Sequence, residues 1–242
     1  MNNVNQENII YRLLMLVIII VAACTPQKQS TSGLMGDNQL LFEEKFNQPL
    51  DTAIWKVELQ PSPGSAVKVG NGGLQLQTSA GVTVWLNKLL TGNIMIAYDR
   101  KVMVQNGPLD RLSDLNQFWM ANDPHNNNLF TRSGKLEDYD NLQLYYVGMA
   151  GNSNTTTRFR RYDGKGNRTL IKEYLDSAHL LKPNQTYHIK TIINNGRVSY
   201  WVDDQLYFSY TDPVPLTKGY FGFRSTKSNQ LISNLKIYRL KN

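Results

Sequence analysis

Basic side chains at strand spacing are the strongest chemical signal in this sequence. Residues 156–162 read TTRFRRY. Successive side chains point to opposite faces of a strand, so a core-facing Phe159 would place Arg158 and Arg160 together on the other face. A guanidinium binds a carboxylate through two parallel hydrogen bonds, so this pair suits an anionic ligand. An ordinary solvated sheet face is the alternative interpretation of the same pattern.

A second segment, residues 141–145 (NLQLY), is predicted to be the neighbouring strand of a hairpin. Only a short turn rich in Gly and Asn separates it from the arginine-bearing strand. If Leu142 and Leu144 face the core, then Gln143 and Tyr145 share the open surface with the two arginines. This assignment depends on the parity of one strand, and a β-bulge would reverse it.

Such a surface suits β-elimination from a uronic acid. The reaction removes a proton from the carbon next to a carboxylate, so it needs a base and donors that stabilise the enolate-like charge. We expect Tyr145 and His125 to transfer the protons. Arg158 and Arg160 are expected to hold the carboxylate with help from Gln143. The group expelled from C4 is a sugar oxygen in a lyase and water in a dehydratase. The alternative interpretation of His125 is an exposed histidine in a turn that takes no part in the reaction.

Three further residues are candidates for binding the substrate: Trp119, Asn116 and Arg111. Trp119 is either a core residue or a platform on which a sugar ring stacks. In the predicted strand at residues 115–121, both alternating sets of side chains contain apolar residues, so the sequence does not show which set faces the core. A buried ion pair between Arg111 and Asp114 would explain those two residues equally well.

The composition excludes several other chemistries. The chain has one Cys and three His among 242 residues, which rules out a disulfide framework and a zinc site built on several thiolates. No phosphate loop, dinucleotide fingerprint or HExxH motif occurs. No cofactor is therefore expected, and a structural calcium ion is left open. The formal net charge of +7 favours an anionic ligand. The charge alone also allows nucleic acid, but a lipid-anchored periplasmic domain rarely meets it, so we expect an acidic oligosaccharide or polysaccharide.

Glycoside hydrolysis is the first alternative to β-elimination. It needs two carboxyl groups about 5 Å apart for retention, or ~6.5–9.5 Å apart for inversion. No strand carries acidic residues at alternate positions, and the adjacent Glu43 and Glu44 face opposite sides. A hydrolase with unusual catalytic groups and a non-catalytic carbohydrate-binding protein therefore stand as the alternatives.

The elements that carry these residues read as β-strands. Residues 73–78, 187–193 and 198–202 alternate with period two. Turn pairs such as Asn71-Gly72 and Asn195-Gly196 separate such runs, because Asn and Gly accept the positive φ of hairpin turns. Many short strands over about 200 residues predict an all-β, two-sheet sandwich or jelly roll as a single domain at residues 40–242. We expect a monomer.

The first residues resemble a targeting signal. Residues 13–23 (LLMLVIIIVAA) are apolar but shorter than the ~20 residues a membrane-spanning helix needs, which is typical of a signal peptide at residues 1–23. The following Cys24 completes a segment that resembles a bacterial lipobox, so we expect Cys24 to be lipidated. Residues 24–39 are polar and predict a flexible tether. Thr25 after the cysteine indicates an outer-membrane lipoprotein facing the periplasm, with the cell surface as the alternative.

Several segments resemble known proteins. The opening (residues 42–46, FEEKF, and 70–76) and the closing strands (residues 219–224 and 232–238) resemble concanavalin-A-like jelly rolls. Between them, residues 110–124 and 146–161 resemble a domain-of-unknown-function family of lipoproteins from the polysaccharide-utilisation loci of Bacteroidota. The resemblance implies a concanavalin-A-like jelly-roll fold and a role in polysaccharide degradation. The chain is also similar to jelly-roll polysaccharide lyases and oligosaccharide dehydratases. The jelly-roll lyases use Tyr or His with Arg, Gln or Asn, but their strand signatures do not occur here, so only their chemistry is carried over and not their residue positions.

Overall fold

The computed structural model describes residues 38–113 and 115–241. The predicted signal peptide, Cys24 and nearly all of the tether lie outside the described residues, as does Asp114. Within the described part of the chain, no helix is long and apolar enough to cross a membrane.

The described residues form thirteen β-strands and three short helical turns. The strands are β1 Gln39–Glu44, β2 Trp55–Leu59, β3 Ala66–Gly70, β4 Gly73–Thr91, β5 Ile94–Val102, β6 Leu115–Asn122, β7 Gln143–Ala150, β8 Thr156–Asp163, β9 Arg168–Tyr174, β10 Thr186–Asn194, β11 Arg197–Val202, β12 Gln205–Thr211 and β13 Lys218–Arg239. The helical turns are Leu136–Tyr139, Gly151–Asn154 and Ser177–His179.

The strands make two antiparallel layers that share their two longest members. The front sheet has the order β2-β4-β13-β6-β7-β8-β9, and it uses the second half of β4 and the first half of β13. The back sheet contains β5, β10, β11 and β12, and it uses the second half of β13, to which β1 also pairs. β3 pairs with the first half of β4.

The main core lies between the layers. Phe159 of β8 packs against Phe208 of β12 at 5.8 Å between ring centres, and Tyr98 of β5 packs edge-on against Phe223 of β13 at 4.9 Å. Burying one such large apolar side chain stabilises the fold by roughly 1.5–3 kcal/mol. The predicted all-β jelly-roll sandwich is therefore confirmed.

A second apolar cluster covers the front sheet on its outer face, the face turned away from the back sheet. Trp85, Phe118 and Leu144 project from the strands into this cluster. Residues 123–142, which we call the covering loop, contribute Leu129 and Tyr139. Because this loop lies on the outer face, much of the front sheet is apolar on both sides.

Candidate functional site

In the structure, the side chains of β7 face the opposite way from the prediction. Tyr145 is 0% exposed and belongs to the core between the sheets, where it packs 5.7 Å from Trp119. Its hydroxyl donates to Asp212 Oδ2 at 2.6 Å and accepts from the Leu216 amide. Burial, together with the bond to Asp212, raises the pKa of Tyr145. Tyr145 therefore does not face the arginines and is a structural residue.

The prediction of which β7 side chains face the core was wrong because both alternating sets of side chains are buried. Leu142 and Leu144 do face an apolar cluster, but it is the cluster under the covering loop rather than the main core. Gln143 lies on the same side of β7 as Tyr145, at the end of the strand opposite Asp163, and it too is turned away from the arginines.

Tyr146 occupies the place predicted for Tyr145. The strand register puts Tyr146 opposite Phe118 on one side and opposite Arg160 on the other, so these side chains share the outer face. The Arg160 guanidinium carbon lies 5.8 Å from the centre of the Tyr146 ring. This is the distance of a cation–π contact, which holds both groups at one point of the surface.

A glycine makes room for the Tyr146 hydroxyl. Gly148 lies opposite both Asn116 and Arg158. A Cβ atom at Gly148 would overlap the Tyr146 hydroxyl and would lie 3.1 Å from Asn116 Oδ1. The phenol and the amide therefore converge above this glycine. We call Asn116, Tyr146, Arg158 and Arg160 the arginine–tyrosine patch.

Asn116 has an unused acceptor. It is 0% exposed, and its Nδ2 atom donates to the Arg224 carbonyl at 3.3 Å. Its Oδ1 atom has no hydrogen-bond partner among residues 38–113 and 115–241, and the same holds for the nearby Tyr162 hydroxyl. A buried polar atom without a partner costs about 1–3 kcal/mol, so a ligand that supplied a donor here would be favoured.

The two arginines of the patch differ in their partners. Arg158 is placed on the outer face, where its Nε atom pairs with Glu173 on β9. Arg160 forms no ion pair within the described part of the chain. Its guanidinium instead lies over the Tyr146 ring. Arg160 is therefore the cation of the patch that is better placed to meet an external anion.

Two other predicted residues lie away from the patch. Trp119 is 0% exposed and stacks on Phe159 in the main core, so it is no platform for a sugar. The Arg111 guanidinium donates to the carbonyls of Thr226 and Lys227 and to Ser153, which fixes two turns to each other. Neither side chain is free to bind a substrate.

His125 is also separate from the patch. Its Nε2 atom lies 3.0 Å from the carbonyl oxygen of Gly164, in the turn after β8. Gly164 is four residues beyond Arg160, which corresponds to roughly 13 Å along a strand. The proton-transfer pair expected from the sequence is therefore not brought together.

The covering loop is held in place by a buried carboxylate. Glu58 of β2 accepts hydrogen bonds from Trp85 Nε1 and Tyr139 Oη, both at 2.8 Å, and from the Arg132 amide at 2.7 Å. Burial raises the pKa of Glu58 against the lowering effect of these bonds. All three donors hold the loop or the sheet beneath it, so Glu58 is an anchor rather than a catalytic acid.

The outer face does not offer a hydrolytic pair among its described strand residues. The carboxylates on it are Glu58 on β2 and Glu173 on β9, the two edge strands of the front sheet. Six strand spacings separate them, roughly 29 Å, which is far beyond the separation that glycoside hydrolysis requires. In residues 38–113 and 115–241, no group of three or more His, Cys, Asp or Glu side chains could hold a metal ion.

A surface depression lies away from the patch. It lies on the outer face of the back sheet, has a volume of about 270 Å³ and is lined by residues that include Asp99, His188 and Lys190. His188 Nδ1 lies 2.5 Å from Asp99 Oδ1, and Lys190 pairs with Asp204. These groups satisfy one another, so we place the candidate site at the patch, where the buried Asn116 Oδ1 atom has no partner in residues 38–113 and 115–241.

Two antiparallel layers joined by shared long strands define a jelly roll of the galectin-like and concanavalin-A-like class, and solved structures agree. A protein of unknown function with a galectin-like fold from Bacillus subtilis has a TM-score of 0.68 and 17% identity, covering 86% of this chain and 99% of that chain. The endo-β-1,3-glucanase from Pyrococcus furiosus has a TM-score of 0.61 and 7% identity, covering 85% and 95%. The carbohydrate-binding module CBM66 from Bacillus subtilis has a TM-score of 0.53 and 16% identity, covering 76% and 95%.

The chain belongs to the family described as domain of unknown function DUF6250, whose model matches residues 76–235. That range contains the whole arginine–tyrosine patch. No curated protein sequence matches the chain. The fold is thus shared with glycoside hydrolases and carbohydrate-binding modules.

Proposed function

We propose that the arginine–tyrosine patch binds an acidic oligosaccharide and catalyses β-elimination from a uronic acid, as a lyase or a dehydratase. One observation carries this proposal: a phenol, an amide acceptor and a guanidinium without an ion pair in the described residues meet on one face of the front sheet. These are the groups that removal of a proton next to a carboxylate requires.

Each group has one role. Arg160 binds the uronate carboxylate and stabilises the negative charge that grows on it as the C5 proton leaves. Tyr146 first loses its own proton to solvent, which the adjacent Arg160 cation favours. The phenolate then accepts the C5 proton and returns it to the oxygen that departs from C4, so no second acid is needed. Asn116 Oδ1 accepts a hydrogen bond from a sugar hydroxyl and fixes the ring. Arg158, which is paired with Glu173, borders the site.

Carbohydrate binding without catalysis is the second candidate. The burial of the patch supports it, because Tyr146 is only 5% exposed and Asn116 is 0% exposed. Such enclosure favours a tightly held sugar group and leaves little room for the movement of a reacting chain.

The test is incubation with a panel of uronic-acid-containing oligosaccharides. β-Elimination produces an unsaturated uronate, which is followed by its ultraviolet absorbance, and mass spectrometry separates the two forms of the reaction. Loss of one water identifies a dehydratase, and two shorter chains identify a lyase. New reducing ends without the ultraviolet band would instead support a hydrolase, and binding without any product would support the second candidate.

A further inference from the structure

A cation is buried between the two sheets, away from the arginine–tyrosine patch. Arg100 of β5 is 1% exposed. It follows Tyr98 in the alternating inward set of that strand, and its register partners are Tyr187 of β10 and Ile232 of β13. A guanidinium stays protonated in proteins, so this position carries a full positive charge inside the sandwich.

The described residues do not neutralise this charge. The Arg100 Nη2 atom donates to Gln230 Oε1 at 3.1 Å, while its Nε and Nη1 atoms have no partner in residues 38–113 and 115–241. No described carboxylate forms an ion pair with it. A buried charge without compensation costs several kcal/mol, so such a group requires an opposite charge.

The neighbouring tyrosines do not supply that opposite charge. Burial raises the pKa of Tyr98 well above its usual value, that of Tyr200 to about 12 and that of Tyr187 above its usual value, although Arg100 opposes each shift. All three therefore remain neutral phenols near pH 7. Gln117, which accepts from Tyr98 Oη and donates to Thr191 Oγ1, adds no charge. Asp203, whose charge helps to raise the pKa of Tyr187, is exposed and forms no ion pair with Arg100.

We propose that Arg100 holds a small monovalent anion, such as chloride, inside the sandwich. The site is enclosed by both sheets, so a small ion that can shed its water fits better than a phosphate or a sugar acid. The anion would accept from the unpartnered guanidinium N–H groups and cancel the buried charge. It would stabilise the fold and take no part in the chemistry at the patch.

The test is thermal unfolding of the full chain in sodium chloride and in sodium gluconate, at one ionic strength and at pH 7. Gluconate is too large for an enclosed site, so chloride alone should raise the melting temperature. The rise should be about 3–6 °C when chloride is at ten times its dissociation constant. Equal melting temperatures in the two salts would overturn the proposal.

The variant Arg100→Met removes the charge and keeps an unbranched side chain, so its melting temperature should not respond to chloride. Lys101→Met is the matched control, because it removes one charge from the adjacent residue of the same strand and should keep the full response. A response that persists in Arg100→Met would assign chloride to the surface and overturn the proposal. If Arg100→Met does not fold, equilibrium dialysis of the wild type with labelled chloride decides: one retained ion per chain supports the site, and none overturns it.

Discussion

Tyr145 and Tyr146 are adjacent phenols with opposite roles, and this makes them a matched pair. Tyr146→Phe removes one hydroxyl from the patch and leaves the ring packed 5.9 Å from Phe118. We expect turnover to fall by about 10²–10⁴-fold, the usual contribution of a proton-transferring group, with little loss of stability. The measurement is the rate of unsaturated uronate formation together with urea unfolding.

Tyr145→Phe is the control for that variant. It removes the acceptor of the buried Leu216 amide and one of two donors to Asp212 Oδ2, which keeps Arg161 Nε at 2.7 Å, so the free energy of unfolding should fall by about 1–3 kcal/mol. Turnover per folded molecule should be unchanged. The opposite result, in which folded Tyr145→Phe is inactive and Tyr146→Phe is active, would show that the catalytic phenol is misassigned.

Gly148 sets the position of the Tyr146 hydroxyl. In Gly148→Ala the new methyl group would overlap the Tyr146 hydroxyl and crowd its Cζ atom, so the packed ring has to shift. We expect this overpacking to lower the free energy of unfolding by about 1–3 kcal/mol. Turnover per folded molecule should fall roughly 10²-fold, since a displacement of about 1 Å at a reacting group has an effect of that size. If Gly148→Ala keeps full turnover, then the position of the hydroxyl is not important for the reaction.

At the scale of whole elements, Glu58 joins the covering loop to β2 and β4. Its protonation state determines how much this connection contributes to the stability of the fold. Because burial raises the pKa of Glu58 above its ordinary 4.5, its contribution to stability is complete below the unfolded-state pKa. Part of it is lost as the pH rises through the folded-state pKa. Glu58→Gln does not titrate, so we expect the stability difference between wild type and variant to shrink from pH 4 to pH 7. Urea unfolding at several pH values measures this, and a growing difference would contradict it.

The alternation of polar and apolar residues located the strands but not always their faces. In β8 Arg158 and Arg160 belong to one alternating set and Phe159 belongs to the other, so a core-facing Phe159 gives the face of the two arginines. In β7 and β6 nearly every residue is buried, because one set enters the main core and the other enters the cluster under the covering loop. Alternation within a strand does not report that the loop joining β6 to β7 folds back over both strands, so the sequence alone favours Tyr145 over Tyr146.

Long strands were the second feature that local patterns missed. Residues 219–224 and 232–238 read as two closing strands, yet both belong to β13, a single strand of 22 residues. The register of β13 shifts between Thr226 and Ser228, where the strand passes from the front sheet to the back sheet. The segment between the two predicted closing strands resembles a turn in the sequence, but in the structure it is a β-bulge inside one continuous strand.

For the whole molecule, the sequence predicts attachment to a membrane through Cys24. We expect Cys24→Ala to move the protein from the membrane fraction to the soluble fraction of the cell envelope, because one acyl-modified residue would be its anchor. Fractionation and immunoblotting measure this. A Cys24→Ala variant that stays with the membranes would contradict lipidation at this position.

The covering loop also decides from which direction a polymer can approach. From β2 to β6 the outer face is occupied by the loop, with Tyr139 lying over both Trp85 and Phe118, so an uninterrupted groove across the sheet is not available. A long chain could enter the patch only by one of its ends. Digestion of an acidic polysaccharide should therefore release short products while the viscosity of the solution stays high, and an early collapse of viscosity would show attack within the chain.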